Sequence, residues 1–286
     1  MEKAIQRCSF VVLVVFVCFA FVSRGYAAIN SWGDVQPPDP STWDDTTLAC
    51  IGIDANGVIS ITEGSDVRAR FATLGYESGV VGTAIVDGTG SSWICSENLC
   101  VGGRGQGILE INNGGYVHNG GGHIGCLSGS TGEVSVDGAG SSWICSRLYV
   151  GDKGQGTLEI NDGGYVRNWG GYIGYFSGST GEVSVDGAGS SLNCTGKYAN
   201  LHVGYYGQGT LNISNGGNVS SGGGTIGYES GSAGEVSVDG VGSNWSCDRS
   251  LSVGTYGHGT LEITSGGKVS CEWDGYIGEW SGSTGE

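Results

Sequence analysis

The sequence predicts an all-β chain folded as a right-handed parallel β-helix (β-solenoid) of about nine coils, and three observations carry that expectation. An apolar residue followed by Gly recurs at Gly52, Gly75, Gly102, Gly125, Gly151, Gly174, Gly204, Gly227, Gly254 and Gly278, at intervals of 23 to 30 residues. Between these anchors, segments such as Leu158, Glu159, Ile160 or Val183, Ser184, Val185 alternate apolar and polar, the period of a strand. Gly supplies 59 of 286 residues against 3 Pro, without collagen's every-third spacing. Gly-rich corners bound the strands and leave no room for a helix.

Each unit between anchors holds three short strands and three corners. So small a unit cannot bury its own apolar face, so it must stack on its neighbours, and equal phasing places like residues over like. The inward columns are then Leu109, Val134, Leu158, Val183, Leu211, Val236, Leu261 and Ile111, Val136, Ile160, Val185, Ile213, Val238, Ile263. Right-handedness is the default for parallel crossovers. Nine coils at about 4.8 Å each give a rod roughly 43 Å long. A longer period of two units is superimposed, marked by VDG at Asp87, Asp137, Asp186 and Asp239. That period approaches the length of a propeller blade, but the two half-units are too alike to be strands in different environments.

Two stretches precede the repeats. Met1 to Ala27 has the form of a secretory signal: Lys3 and Arg7 lead, an apolar run spans Phe10 to Val22, and Gly25 and Ala27 stand at the −3 and −1 positions. The run is too short to span a bilayer. Its removal takes away three bases and one acid and leaves 9 basic against 27 acidic residues, a net charge of −18. Residues 28–49, with Trp32, Trp43 and Pro37, Pro38 and Pro40, depart from the repeat and are expected to form a cap or linker ahead of the solenoid at 50–286. The last residues, Ser281 to Glu286, repeat Ser128 to Glu133 and stop before the inward Val of the next strand. A C-terminally incomplete solenoid, continuing in the native protein to a barrel, anchor or cap, is therefore expected, with end-to-end self-association of the chain as it stands.

The acidic balance argues against nucleic acid and anionic membrane as partners; membrane attachment is expected only through a missing C-terminal anchor or barrel. No residue stands out as catalytic, cofactor-binding or metal-ligating. Asp87, Asn112, Asp137, Asn161, Asp186, Ser214, Asp239 and Thr264 share one place, with acids on every second coil. Paired Asp about 9.6 Å apart would lie at the wide limit for an inverting glycosidase, but Asp ahead of Gly more simply caps its own turn. The run Gly102 to Gly105 resembles a calcium-binding nonapeptide, yet Gly107 stands where that pattern needs Asp. His118, His123, His202 and His258 are expected at different places in their coils. The corner glycines lack the Lys of a phosphate loop.

Eight Cys follow the signal segment, compatible with an oxidising compartment. Cys95, Cys145, Cys194 and Cys247 hold one position of the double repeat, two residues after Trp93, Trp143, Leu192 and Trp245, so these residues are expected to point inward as core. No CxxC pair suggests a metal cage. Cys271 aligns with Cys247 one coil on, a separation of about 4.8 Å that lies within disulfide reach, so a Cys247 to Cys271 bond is expected.

The strings VSVDGAGSSW, LYVGDKGQGTLEINDGGYV and YIGYFSGSTGE resemble the repeats of secreted bacterial proteins of the autotransporter (type V secretion) and PEP-CTERM-associated class, from about Cys50 to the end. The resemblance implies a β-helical stalk sorted to the cell exterior, and it implies no catalytic residue. Within residues 50–286 no stretch resembles that family's barrel or short anchor. The expected function is a non-enzymatic extracellular or cell-surface stalk, an adhesin-like scaffold, needing no cofactor and binding an extracellular polysaccharide or surface protein. The alternative is a polysaccharide-binding module or carbohydrate-active β-helix enzyme in which Tyr116, Tyr165, Tyr175 and Tyr228 stack on sugars.

Overall fold

The computed structural model describes residues 28–196 and 199–286. The expected signal segment, Met1 to Ala27, lies outside the described residues. The chain is a parallel β-solenoid of about nine turns, and the one helical element among the described residues is the 3-10 turn Pro40–Thr42.

Every coil contributes one strand to each of three ladders. The first ladder runs from Gly57–Thr62 through seven-residue strands such as Gln106–Asn112 and Gln155–Asn161 to His258–Thr264, all parallel. The second includes Asp66–Ala69, Ser92–Cys95, Tyr165–Asn168 and Asn244–Cys247. The third includes Phe71–Leu74, Leu99–Val101, Gly171–Ile173 and Asn200–Val203. In two coils, at Tyr116–Ile124 and Ser142–Val150, one strand serves both the second and third ladders.

Register is one-to-one, so the expected inward columns form: Leu109 pairs Val134, Val134 pairs Leu158, Leu158 pairs Val183, and so on to Leu261. Their members from Leu109 to Val238 are buried. A third inward place in each first-ladder strand is always Gly, and contact explains it. A Cβ on Gly107 would sit 2.0 Å from the Gly102 nitrogen, because the anchor corner folds directly over it. The anchors are constrained as tightly: Gly75 has φ +65°, and a Cβ there would meet the Gln106 carbonyl oxygen at 2.1 Å.

The double-length period has a packing cause. Along the second ladder Val67, Trp93, Val117, Trp143 and Val166 form one inward column, and along the third Ala72, Leu99, Gly122, Leu148, Gly171 and Leu201 form another. Each large side chain leans over a small residue of the preceding coil. A Cβ on Gly122 would lie 2.6 Å from Trp143 Cζ2, one on Gly224 2.7 Å from Trp245 Cζ2, and one on Gly171 2.9 Å from Leu201 Cδ1. Large and small therefore alternate from coil to coil, as close packing of a column requires.

The indole N–H groups follow the same lean. Trp143 Nε1 donates to Asn119 Oδ1 at 2.6 Å and Trp245 Nε1 to Ser221 Oγ at 3.1 Å, each in the preceding coil. Trp93 Nε1 is buried without a partner, because Ala69 stands at that position of its preceding coil.

Ahead of the first coil, Ala28–Gly33 pairs antiparallel with Gly57–Thr62, and Val35–Gln36 pairs antiparallel with Leu48–Ile51. Val35 and Trp43 are buried there, with Trp43 Nε1 donating to the Pro37 carbonyl at 3.0 Å. At the opposite end Leu261 and Val269 are only partly covered, and Ile263 and Ile277 are exposed.

Candidate functional site

The Asp and Asn ladder aligns as its spacing predicts, but the side chains act differently. Asp87 Oδ1 accepts from Asn113 Nδ2 at 2.6 Å, Asp186 Oδ1 from Ser214 Oγ and Asn215 Nδ2 at 2.6 Å, and Asp239 Oδ1 from Thr264 Oγ1 at 2.6 Å. These donors belong to the next coil, so the carboxylates tie coils together instead of capping their own turns. Asn113 and Asn215 reach them from left-handed backbone, φ 51° in both. The hydroxyl of Thr264, then that of Ser265, holds the Asp239 carboxyl below its ordinary value. A buried serine fixes the turn: Ser141 Oγ donates to the Asp137 carbonyl at 2.6 Å and accepts from Gly114 N at 3.0 Å. Among the described residues no group of three or more His, Cys, Asp or Glu converges to hold a metal ion.

The arrangement that distinguishes one face is an aromatic edge where the third ladder turns toward the first. The outward residue two before each anchor Gly forms a column in which His123, Tyr149, Tyr172 and His202 stack nearly parallel, with centroids 4.7, 5.2 and 5.0 Å apart. The residue after the anchor forms a second column, in which Tyr175 and Tyr205 lie 5.4 Å apart and Tyr205 and Tyr228 4.8 Å apart. Edge contacts join the two, as between Tyr172 and Tyr175 at 4.9 Å. The strand spacing matches the preferred separation of ring pairs, so a ring on every coil stacks without distortion. Phe176, Tyr206, Tyr256 and Trp280 follow one residue further out and are exposed.

The edge is polar at its rim. His123 Nδ1 meets Asp152 Oδ2 at 2.8 Å, and His202 Nδ1 meets Thr225 Oγ1 at 2.6 Å. Burial pushes His202 down to about 4, so its ring is neutral at ordinary pH. Burial first, then Tyr228 and other neighbouring acidic groups, pushes the Tyr205 hydroxyl up to about 12. Ring faces inside the stack cover one another, so the edge presents ring rims and hydroxyls outward, and open faces only along its outermost row.

Two expectations about this region need correction. His123 and His202 do not occupy different places; both stand two residues before an anchor, Gly125 and Gly204, in one column. Of the four tyrosines expected to act together, Tyr175 and Tyr228 share the edge with Tyr205 between them. Tyr116 and Tyr165 lie instead on the outer face of the second ladder, separated by Ser142. Tyr149, Tyr172 and Tyr205 were legible only as a phase relative to the anchors.

The disulfide also falls elsewhere. Cys247 and Cys271 are register partners as expected, yet both are free thiols. Cys247 Sγ leans toward Ser221 Oγ at 3.4 Å in the preceding coil, and Cys271 Sγ toward the Trp273 carbonyl at 3.5 Å, so the sulfurs diverge. The bond joins Cys100 to Cys126, which take the two column positions of the aromatic edge on consecutive coils. Burial raises the Cys95 and Cys194 thiols to about 12 and the Cys247 thiol to about 11, which makes them poor nucleophiles.

No known protein family, no curated protein and no solved structure matches the chain.

Proposed function

We propose that the chain is a non-enzymatic extracellular or cell-surface scaffold, a stalk or adhesin-like rod whose outer columns carry the binding. One observation supports this reading above the others: an unbroken in-register stack converts a short sequence repeat into a straight surface on which one edge bears an aromatic side chain on coil after coil. Such a surface suits an extended partner better than a small one. The resemblance to autotransporter and PEP-CTERM-associated repeats, together with the signal-like Met1 to Ala27, motivates export to the cell surface.

A second reading, a polysaccharide-binding module, is favoured by exposed rings. Trp169 and Trp273, 60% and 65% exposed, stand at the corner between the second and third ladders and offer open faces of the kind that stack on pyranose rings. A glycan array, followed by reducing-sugar and lyase assays on whatever binds, separates the possibilities. Binding without product supports a scaffold or binding module, whereas release of reducing ends or unsaturated sugar would replace both with an enzyme.

A further inference from the structure

We infer that the corner groove around Gly121 binds the carboxylate of an acidic oligosaccharide. The inference rests on the polysaccharide-binding reading for the class of molecule, and on the groove itself for the acid. An open groove of about 290 Å³ is lined by Asn98, His123, Ser146, Arg147 and Tyr149 over a floor of Gly120 and Gly121.

The polar groups are set in place before any ligand arrives. Asp152 holds His123 by Nδ1, which leaves Nε2 for the groove. Nε2 is reachable because residue 121 has no side chain: a Cβ there would stand 2.9 Å from it. Asn98 uses its oxygen to accept from Gly121 N at 3.0 Å, so what it offers a ligand is its amide N–H pair. Arg147 is the cross-strand partner of Gly121, one strand spacing of about 4.8 Å away. Its guanidinium is exposed, lies beside the Tyr149 ring, and pairs with no carboxylate among the described residues. Glu97, on the preceding coil at the same corner, is already held by Arg70 at 2.9 Å. A forked guanidinium beside an amide N–H pair is a donor set for a carboxylate, His123 Nε2 is left as an acceptor for a sugar hydroxyl because Nδ1–H is given to Asp152, and little else in a chain of net charge −16 would attract an acid.

The sugar part of the ligand follows from Trp169. It lies one coil beyond Ser146, since its N–H donates to the Ser146 carbonyl at 2.8 Å, and two coils from Gly121. That distance, about 9.6 Å or two strand spacings, sets an open ring face along the edge from the groove floor at a reach that a trisaccharide covers and a single sugar does not. A peptide would use the clamp but would gain nothing specific from the ring face.

Isothermal titration of the full exported chain with trigalacturonate, a neutral trigalactoside of the same linkage, and hexaglutamate tests the inference. Trigalacturonate should bind at least tenfold more tightly than the neutral sugar. Arg147→Gln should remove that preference. Gly121→Ala, whose Cβ would stand 2.8 Å from Asn98 Oδ1 and 2.9 Å from His123 Nε2, should weaken trigalacturonate binding at least tenfold in protein that still melts cooperatively and has unchanged charge, and Trp169→Ala should weaken both sugars. Equal binding of the neutral sugar, still sensitive to Trp169→Ala, would overturn the groove and leave the polysaccharide reading standing. Binding of hexaglutamate alone would overturn both, as would the absence of any binding at millimolar ligand. Full affinity in Arg147→Gln or Gly121→Ala protein would overturn the groove.

Discussion

Replacing Ala69 with Ser supplies the partner that the Trp93 indole lacks. The three core tryptophans occupy one column, and two of them donate to a residue of the preceding coil, Asn119 or Ser221. Trp93 meets Ala69 and keeps a buried N–H without an acceptor. A buried donor left unpaired costs about 1–3 kcal/mol, and the hydroxyl that would satisfy it must itself leave water, so the net gain is about 1 kcal/mol. For a domain of this size that corresponds to a rise in melting temperature of ~2–4 °C. The reverse change, Ser221→Ala, orphans Trp245 Nε1 and should cost about 1–3 kcal/mol. Thermal melts of the two variants should therefore move in opposite directions, and the Trp93 indole proton should exchange more slowly in the Ala69→Ser protein. A lower melting temperature for Ala69→Ser, or an unchanged melt with unchanged indole exchange, would refute the assignment of the lean of the tryptophans.

Three further outcomes are expected. His202 has its folded value lowered from 6.5 to about 4, so the unfolded chain binds the extra proton first. Stability should be intact above about pH 6.5 and be lost as pH falls toward 4, by ~3 kcal/mol in all, and His202→Gln should flatten that slope in pH-dependent denaturation. Peptide mapping under non-reducing conditions should find Cys100 linked to Cys126 and free thiols at Cys247 and Cys271; with the bonded cysteines 26 positions apart in sequence, reduction should cost about 3 kcal/mol. Gly156→Ala places a Cβ 2.2 Å from the Gly151 nitrogen, a backbone atom that cannot step aside, and should destabilise by at least ~2 kcal/mol in urea titration.

What the sequence discloses follows from how local each constraint is. The anchors Gly75, Gly102 and Gly125 sit at φ +65°, +82° and +67°, a requirement written into single residues, and the alternation of Leu109 and Ile111 with polar neighbours fixes the buried face. The role of Asp239 was misread because its donor, Thr264, is 25 residues away, where a turn-capping argument does not look. The aromatic edge was obscured because one column mixes His with Tyr. The disulfide was misplaced because register alone brings Cys247 and Cys271 together, whereas the direction of their side chains parts them. Nothing in residues 28–49 announces that Ala28–Gly33 runs antiparallel to its neighbour.

The alternation of large and small side chains constrains how this molecule could have grown. Removing a single coil, for instance from Tyr116 through Ser141, would bring Trp143 over Trp93 and Leu148 over Leu99, with no glycine between to receive either. Inserting one coil creates the same collision or an equal void. Removing or adding two adjacent coils keeps the large-over-small phase of both columns. Tandem duplication can therefore lengthen the rod only in steps of about fifty residues, and unequal recombination out of that phase yields chains whose cores fail at the junction. Its length is quantised by its core, which gives a lineage of such proteins a ruler graduated in pairs of coils.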